Sequence, residues 1–164
     1  MKSKAILVVT ALLIYISIGE KDIKCDPTPE PINGQSATED ELQALDTQRR
    51  GEPLNIGKNI KYIEALGKKD YRLLAEDRKY YQNLTEKYPA ESVAWYLLGY
   101  ANLETQKNLL PVVFGGAIHW DDYINPAIDG FTKAISLSPE SLDAYHGMVD
   151  LYEYVLFYKD AYRY

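Results

Sequence analysis

Side chains that carry nucleophilic, redox or metal chemistry are scarce in this sequence. Its 164 residues include one cysteine and two histidines. Cys25 lies in a linker-like stretch and cannot form a disulfide within the chain, and no serine occupies a nucleophile-elbow pattern. His119, Asp121 and Asp122 carry ligand atoms, but near-adjacent loop residues lack the separated ligands of a dedicated metal site. We therefore predict that the protein is not an enzyme, and that it has no catalytic residues, cofactor or metal site.

Basic side chains are also too few for a nucleic-acid-binding protein. The sequence has 18 Lys and Arg residues against 24 Asp and Glu residues, and its formal net charge is −6. Because a phosphate backbone is bound through clustered cations, this acidic balance excludes nucleic acid as the expected partner. The composition, 46% hydrophobic and 26% charged, is typical of a folded chain with one ordinary core.

The N-terminal apolar run is shorter than a membrane span. Residues 5–18 are uncharged and mostly apolar, whereas a spanning helix needs about twenty such residues. Two lysines precede the run, and the small residues Ser17 and Gly19 end it, which is typical of a secretory signal peptide. We predict that residues 1–19 are a signal peptide or an uncleaved signal anchor. The protein is then exported, periplasmic or secreted, and touches the membrane only through this segment if it stays uncleaved.

A linker with a short helix is expected in residues 20–53. Three prolines in its first half favour a stiff, extended chain. Thr38 and Glu41 have the spacing of a capping box, which predicts a helix start. Arg49 and Arg50 near the helix end are interpreted as solvated cations that suit the helix dipole, with attraction to anionic lipid as the alternative.

The remaining residues, 54–164, have the spacing of packed helices. Apolar residues recur on one face of each of two neighbouring stretches; they are Ile60, Ile63 and Leu66 in the first, and Leu74, Tyr81, Leu84 and Tyr88 in the second. Gly67 is expected to break the first helix. Asp77 interrupts the second apolar face. The corresponding position of a similar helix later in the chain is the small Ala127, so we expect the helices to approach less closely at Asp77.

A longer pattern organises the second half of the chain. An aromatic residue is followed three and four positions later by leucine and glycine, and a later helix carries alanine, phenylalanine, alanine and proline. The residues are Trp95, Leu98, Gly99, Ala127, Phe131, Ala134 and Pro139, and Tyr145 begins a further copy. This pattern resembles a tetratricopeptide repeat (TPR). The resemblance implies an all-α fold, an antiparallel helix-hairpin solenoid of about two to three TPR-like repeats, in which these residues are the structural positions.

An insertion interrupts the central repeat at about residues 104–123. Its stretch 109–122 is too apolar for an ordinary solvent loop, so it either folds back as packing or presents a binding surface. Asn125 before Pro126 predicts the N-cap of the next helix. The last repeat is incomplete at Tyr164. Either the chain is a piece of a longer array, or another molecule supplies the missing surface.

The family resemblance also implies a groove lined by the first helix of each hairpin. The residues that match the lining are Tyr96, Tyr100, Leu103, Glu104, His146, Asp150 and Glu153. This set is aromatic at one end and mostly acidic at the other, which suits a partner segment with apolar anchors and basic flanks. We therefore expect an exported, non-catalytic scaffold that binds a protein or peptide. The alternative is a small-molecule-binding accessory component of an envelope transport system.

Overall fold

The structure is all-helical over the residues that it describes. A computed structural model describes residues 37–109 and 120–161, and no strand occurs in these two ranges. The helices are α1 (Glu39–Gly51), α2 (Ile56–Lys69), α3 (Tyr71–Lys87), α4 (Ser92–Leu109), α5 (Asn125–Leu137) and α6 (Leu142–Ala161), with a π-helical turn (Trp120–Ile124) directly before α5. The predicted all-α class is confirmed for these residues.

Several sequence predictions concern parts of the chain outside the described residues. The signal segment, the proline-rich stretch, Cys25, residues 110–119 of the insertion and the final three residues all lie there. Among the helices that are described, none is both long enough and apolar enough to cross a membrane.

Helix α4 lies at the centre of the packing. It contacts α2, α3, α5, α6 and the π-helical turn, whereas α1 packs against α2. Ten of its residues are buried, and they point in nearly every direction around the helix; they are Ala94, Tyr96, Leu97, Gly99, Ala101, Asn102, Leu103, Thr105, Gln106 and Leu109. A helix that is buried on nearly all sides is the central element of an α-helical core rather than a surface element.

The helix starts follow from short polar side chains. Thr38 Oγ1 accepts from the backbone N–H of Glu41, and the Glu41 carboxylate accepts from the Thr38 N–H, so the predicted capping box is confirmed. Asn55 caps α2 with one hydrogen bond, because its side-chain oxygen accepts from Lys58 N–H at 3.1 Å. Asp70 ends α2 and caps α3 by accepting from Arg72 N–H at 2.9 Å, which allows the two helices to meet at one residue.

The predicted helix break at Gly67 is wrong. Helix α2 continues through Gly67 to Lys69. The glycine serves packing instead, because a Cβ atom there would lie 2.9 Å from Asn108 Nδ2 and 3.2 Å from a methyl carbon of Leu74. The glycine costs helix stability by about 1 kcal/mol, and close contact with α3 and α4 offsets it.

The predicted N-cap at Asn125 is also wrong. The π-helical turn runs directly into α5, so Ile124 already has helical dihedral angles (φ −70, ψ −51) and no side-chain cap forms. Asn125 Nδ2 instead donates to Asp121 Oδ1 at 3.0 Å. Pro126 still lies in the first turn of α5, as expected. Arg78 of α3 donates to the backbone carbonyl of Asp122 at 2.9 Å and so joins this turn to α3.

Small residues let α4, α5 and α6 approach closely around one phenyl ring. Phe131 is fully buried, and a Cβ atom at Gly99 of α4 would lie 2.8 Å from its ring. The same atom at Gly147 of α6 would lie 2.5 Å from the ring. A Cβ atom at Gly130 would lie 2.8 Å from Gly99 N, so the α4 and α5 backbones nearly touch. Phe131 is therefore the steric centre of these three helices.

The residues predicted at structural positions divide by burial. Ala127, Phe131 and Ala134 are fully buried, Gly99 is buried, and Trp95, Leu98 and Tyr145 are partly buried, whereas Pro139 is exposed. Trp95 Nε1 donates to the Pro89 carbonyl at 3.0 Å, so the indole lies over the connection between α3 and α4. The predicted small-against-large packing thus centres on Phe131 more than on Trp95.

Candidate functional site

Two tyrosines one helical turn apart form the floor of the candidate site. The ring centroids of Tyr96 and Tyr100 on α4 are 6.0 Å apart, and Tyr96 also lies 5.9 Å from Phe131. Tyr96 is 6% exposed and joins the site to the core, while Tyr100 is partly exposed. Aromatic rings at this distance attract each other and have preferred relative orientations.

Carboxylates from α2 and α4 flank the outer ring. Tyr100 Oη donates to Glu64 Oε1 of α2 at 2.9 Å. Glu104 lies one turn along α4, is 13% exposed in its side chain, and accepts from Lys107 Nζ at 2.9 Å. Burial, the charge of Glu104 and the hydrogen bond to Glu64 together raise the pKa of Tyr100. The Tyr100 hydroxyl stays protonated and donates to Glu64.

Helix α6 brings further negative charge to the inner ring. Burial raises the pKa of Tyr96 to about 12, and Asp143, Asp150, Glu64 and Glu104 add to the shift because negative charges disfavour a phenolate. Four carboxylates from three helices thus act on one ring. We call the set Glu64, Tyr96, Tyr100, Glu104, Asp143 and Asp150 the acidic tyrosine face.

The predicted partner-binding residues differ in how exposed they are. Asp150, His146 and Glu153 are exposed on α6, and Tyr100 and Glu104 are partly exposed on α4. Leu103 is fully buried. Leu103 therefore does not line the predicted groove, because other helices surround α4 on almost every side. Tyr96 is buried as well, at 6% exposed, so Tyr100 is the more accessible ring of the pair.

Glu64 belongs to this face, although its sequence position did not predict it. Glu64 lies in α2 beside the apolar positions Ile63 and Ala65, and nothing in that local stretch distinguishes it from an ordinary helix-surface acid. Its role depends on the hydrogen bond to Tyr100, which is 36 residues away in the sequence.

The prediction that Arg49 is a solvated cation at a helix end is wrong. The side chain is fully buried. Its guanidinium donates to both oxygens of Asp77, at 2.8 and 2.9 Å, and to Asp46 Oδ1 at 2.6 Å. The Tyr62 and Tyr80 rings lie 3.8 and 4.2 Å from its central carbon. We call Asp46, Tyr62, Asp77, Tyr80 and Tyr81 the Arg49 pocket.

This pocket also explains the acid at residue 77. Asp77 was expected to loosen the helix approach, yet it is the bidentate partner of Arg49. Burial by itself lowers the pKa of Arg49, but Tyr81, Asp77 and Tyr62 outweigh it and raise the pKa, so the guanidinium stays charged. An unexpected acid in an apolar face was thus the signal for a buried cation.

Comparisons with known proteins add no relative. No protein-family model matches this sequence, and neither a curated protein nor a solved structure matches it significantly. Within the described residues, no group of three or more His, Cys, Asp or Glu side chains could hold a metal ion.

Proposed function

We propose that this protein is a non-catalytic interaction scaffold with TPR-like helix hairpins, and that it binds a basic partner segment at the acidic tyrosine face. The packing order supports the repeat assignment. Helix α4 contacts both the preceding α3 and the following α5, and it also contacts α2 and α6. In a stack of hairpins, the first helices of successive hairpins lie beside one another, here α2, α4 and α6.

The observation that carries the proposal is the convergence of charge on Tyr96. The negative charges of Glu64, Glu104, Asp143 and Asp150, which lie on three helices, all raise the pKa of Tyr96, and the neighbouring Tyr100 donates to Glu64 at 2.9 Å. Lysine and arginine are attracted both to carboxylates and to the faces of tyrosine rings. A partner segment with basic residues and an apolar anchor therefore matches the chemistry of the face.

The cellular location is part of the same proposal and rests on residues 1–19 alone. A basic start, an apolar run and small residues before position 20 favour export. We place the interaction outside the cytoplasm, with the scaffold either released or held by this segment.

Binding of a defined peptide tests the proposal. The probe is a synthetic amphipathic peptide with lysine flanks and a central leucine, labelled for fluorescence anisotropy, and its counterpart with glutamate flanks is the control ligand. We expect the lysine peptide alone to bind, with a Kd that rises as salt is added, because screening weakens attraction between exposed charges. Equal binding of both peptides would contradict a charge-selective face.

A charge-reversal pair locates the binding site. In Asp143→Lys/Asp150→Lys, two exposed acids of α6 become basic, and we expect the Kd to rise at least tenfold at low salt. The matched control, Glu86→Lys/Glu91→Lys, changes the net charge equally at exposed positions before and after the α3 end. The same loss in both variants would show that only net charge matters. A low-mass ligand retained in native mass spectrometry would instead favour the alternative accessory component.

A further inference from the structure

The Arg49 pocket has the features of a binding site for a guanidinium group. Asp77 accepts two parallel hydrogen bonds, from Nη2 at 2.8 Å and from Nη1 at 2.9 Å. Tyr81 Oη accepts a third, from Nη1 at 3.2 Å. The Tyr62 and Tyr80 rings supply aromatic contact at 3.8 and 4.2 Å. A planar fork with delocalised charge matches this arrangement, whereas the point charge of a lysine does not.

Most of the pocket is built without α1. Tyr62 lies on α2, and Asp77, Tyr80 and Tyr81 lie on α3. Only Asp46 comes from α1, and it also binds Arg50 at 2.8 Å. Tyr81 is fully buried, and α3 packs against α4, so these walls are held by the core of the protein. The Arg49 guanidinium, by contrast, belongs to α1, which lies outside that core.

The attachment of α1 is narrow. Its buried side chains are Leu42 and Arg49, seven residues apart on one face of the helix. An open groove of about 510 Å³ runs between α1 and the α2–α3 pair, and Leu73 in its wall is 42% exposed. Leu45 of α1 is only partly buried against the core, and Glu39 pairs with Lys69 of α2 at an exposed position. A peripheral helix with few buried side chains and an open groove beside it separates from its neighbours at lower free energy than a helix buried on all sides.

We propose that the α2–α3 pair carries an arginine-binding pocket, that Arg49 occupies it from within the chain, and that an arginine-bearing helix of a partner replaces α1 there. The partner helix carries leucine and arginine seven residues apart, as α1 does, because those two side chains make the buried contacts. This pocket shares no residue with the acidic tyrosine face.

Chemical rescue in the full chain tests the pocket. Arg49→Ala removes the guanidinium and leaves the walls, so added ethylguanidinium should bind and raise the Tm of the variant saturably. At ten times its Kd the expected rise is about 4 °C. Ethylammonium should give none, since it lacks the fork. Arg49→Ala/Asp77→Asn should not be rescued, and Arg50→Ala, which removes a 55% exposed arginine, should not respond.

Hydrogen exchange of the wild-type chain tests displacement and does not depend on the variant folding. The probe is a synthetic peptide of residues 37–51, compared with the same peptide carrying Arg49→Ala. We expect the first peptide alone to accelerate exchange of the α1 amides at least threefold, while the α4 amides stay unchanged. Unchanged α1 exchange would overturn the displacement. A folded Arg49→Ala protein without a saturable, Asp77-dependent rescue would overturn the pocket.

Discussion

Two regions of this protein bury one large side chain among three helices by opposite means. In the C-terminal region, Phe131 of α5 lies against Gly99 of α4 and Gly147 of α6, where even one added carbon would overlap the ring. In the N-terminal region, Arg49 of α1 lies against the Tyr62 ring and the Asp77 carboxylate. The site around Phe131 is apolar, and the size of the side chain decides whether it fits. The site around Arg49 is charged, and the side chain there must place its donors opposite the Asp77 oxygens.

This contrast separates two ways in which a helix is held. Dispersion and burial of apolar area at Phe131 require only that the cavity be filled, and salt and pH have little effect on them. At Arg49 the desolvated charge is stable only while its partners remain in place, because an unpaired buried charge is very unfavourable. We therefore expect the packing around Phe131 to change little with salt and pH. The packing around Arg49 should persist only while its hydrogen-bond partners remain in place.

The largest effect is expected from Phe131→Ala, which empties the steric centre. The change should lower the free energy of unfolding by about 3–5 kcal/mol, through lost burial and the cavity left behind. Urea denaturation followed by circular dichroism measures it. Trp95→Ala serves as the comparison, and we expect a smaller loss because the indole is only partly buried. An equal loss of unfolding free energy in Trp95→Ala and Phe131→Ala would contradict the assignment of Phe131 as the steric centre.

Removal of the pocket carboxylate is expected to have the next largest effect. Asp77→Ala leaves Arg49 without its bidentate partner and should lower the free energy of unfolding by about 2–3 kcal/mol, somewhat less than for a fully dry pair because Asp77 is 14% exposed. In a double-mutant cycle, Arg49→Met/Asp77→Ala should lose less than the two single changes together. Strict additivity would mean that the two side chains do not depend on each other.

A smaller effect is expected where α4 and α5 touch. Gly130→Ala places a carbon 2.8 Å from Gly99 N and 2.9 Å from the Trp95 carbonyl oxygen. Because both contacts are to backbone, the helices must move apart, at a cost of about 1–3 kcal/mol. Gly51→Ala is the matched control, since nothing lies within 4 Å of its added carbon. Equal stability of the two variants would show that the α4–α5 distance is adjustable.

Alkaline pH is expected to lower the free energy of unfolding least for each residue involved. Tyrosines of both regions contribute to this loss. The pKa of Tyr96 is about 12 in the folded protein against 10.0 as the ordinary value. Above pH 10 the unfolded chain therefore loses the phenol proton first, so stability is retained below that pH and falls as pH rises toward 12. At pH 11 the loss from Tyr96 is about 1 kcal/mol.

Denaturation at pH 9 and pH 11 measures this loss, and Tyr96→Phe should reduce it. Tyr62, Tyr80 and Tyr81 in the Arg49 pocket also have raised pKa values, chiefly through burial, so each phenylalanine substitution there should reduce the loss further. An alkaline slope that Tyr96→Phe leaves unchanged would place the titrating group elsewhere.

Predictions from spacing within one helix were largely confirmed. Leu74, Tyr81 and Leu84 were assigned to one face of α3, and all three are buried. Phe131 and Ala134 were assigned to packing positions, and both are fully buried. Such predictions succeed because residues three or four positions apart share a helix face whatever lies opposite.

Predictions about the partner of a side chain were less successful. Arg49 was expected in solvent, although its carboxylate partner Asp77 is only 28 residues away in the sequence. Leu103 was expected on a surface, although helices enclose α4 on nearly all sides. Neither outcome is encoded locally, because each depends on which helices meet.

The sequence by itself therefore determined the all-helical class of the described residues, the start of α1 at its capping box, and the apolar stripes of α2, α3 and α5. These features depend on backbone hydrogen bonds and on a periodicity of 3.6 residues, both of which act over a single turn. The tertiary structure alone decided that Arg49 is enclosed by tyrosines and that Glu64 meets Tyr100. Burial and electrostatic pairing depend on distances in space, and only the packed helices set those distances.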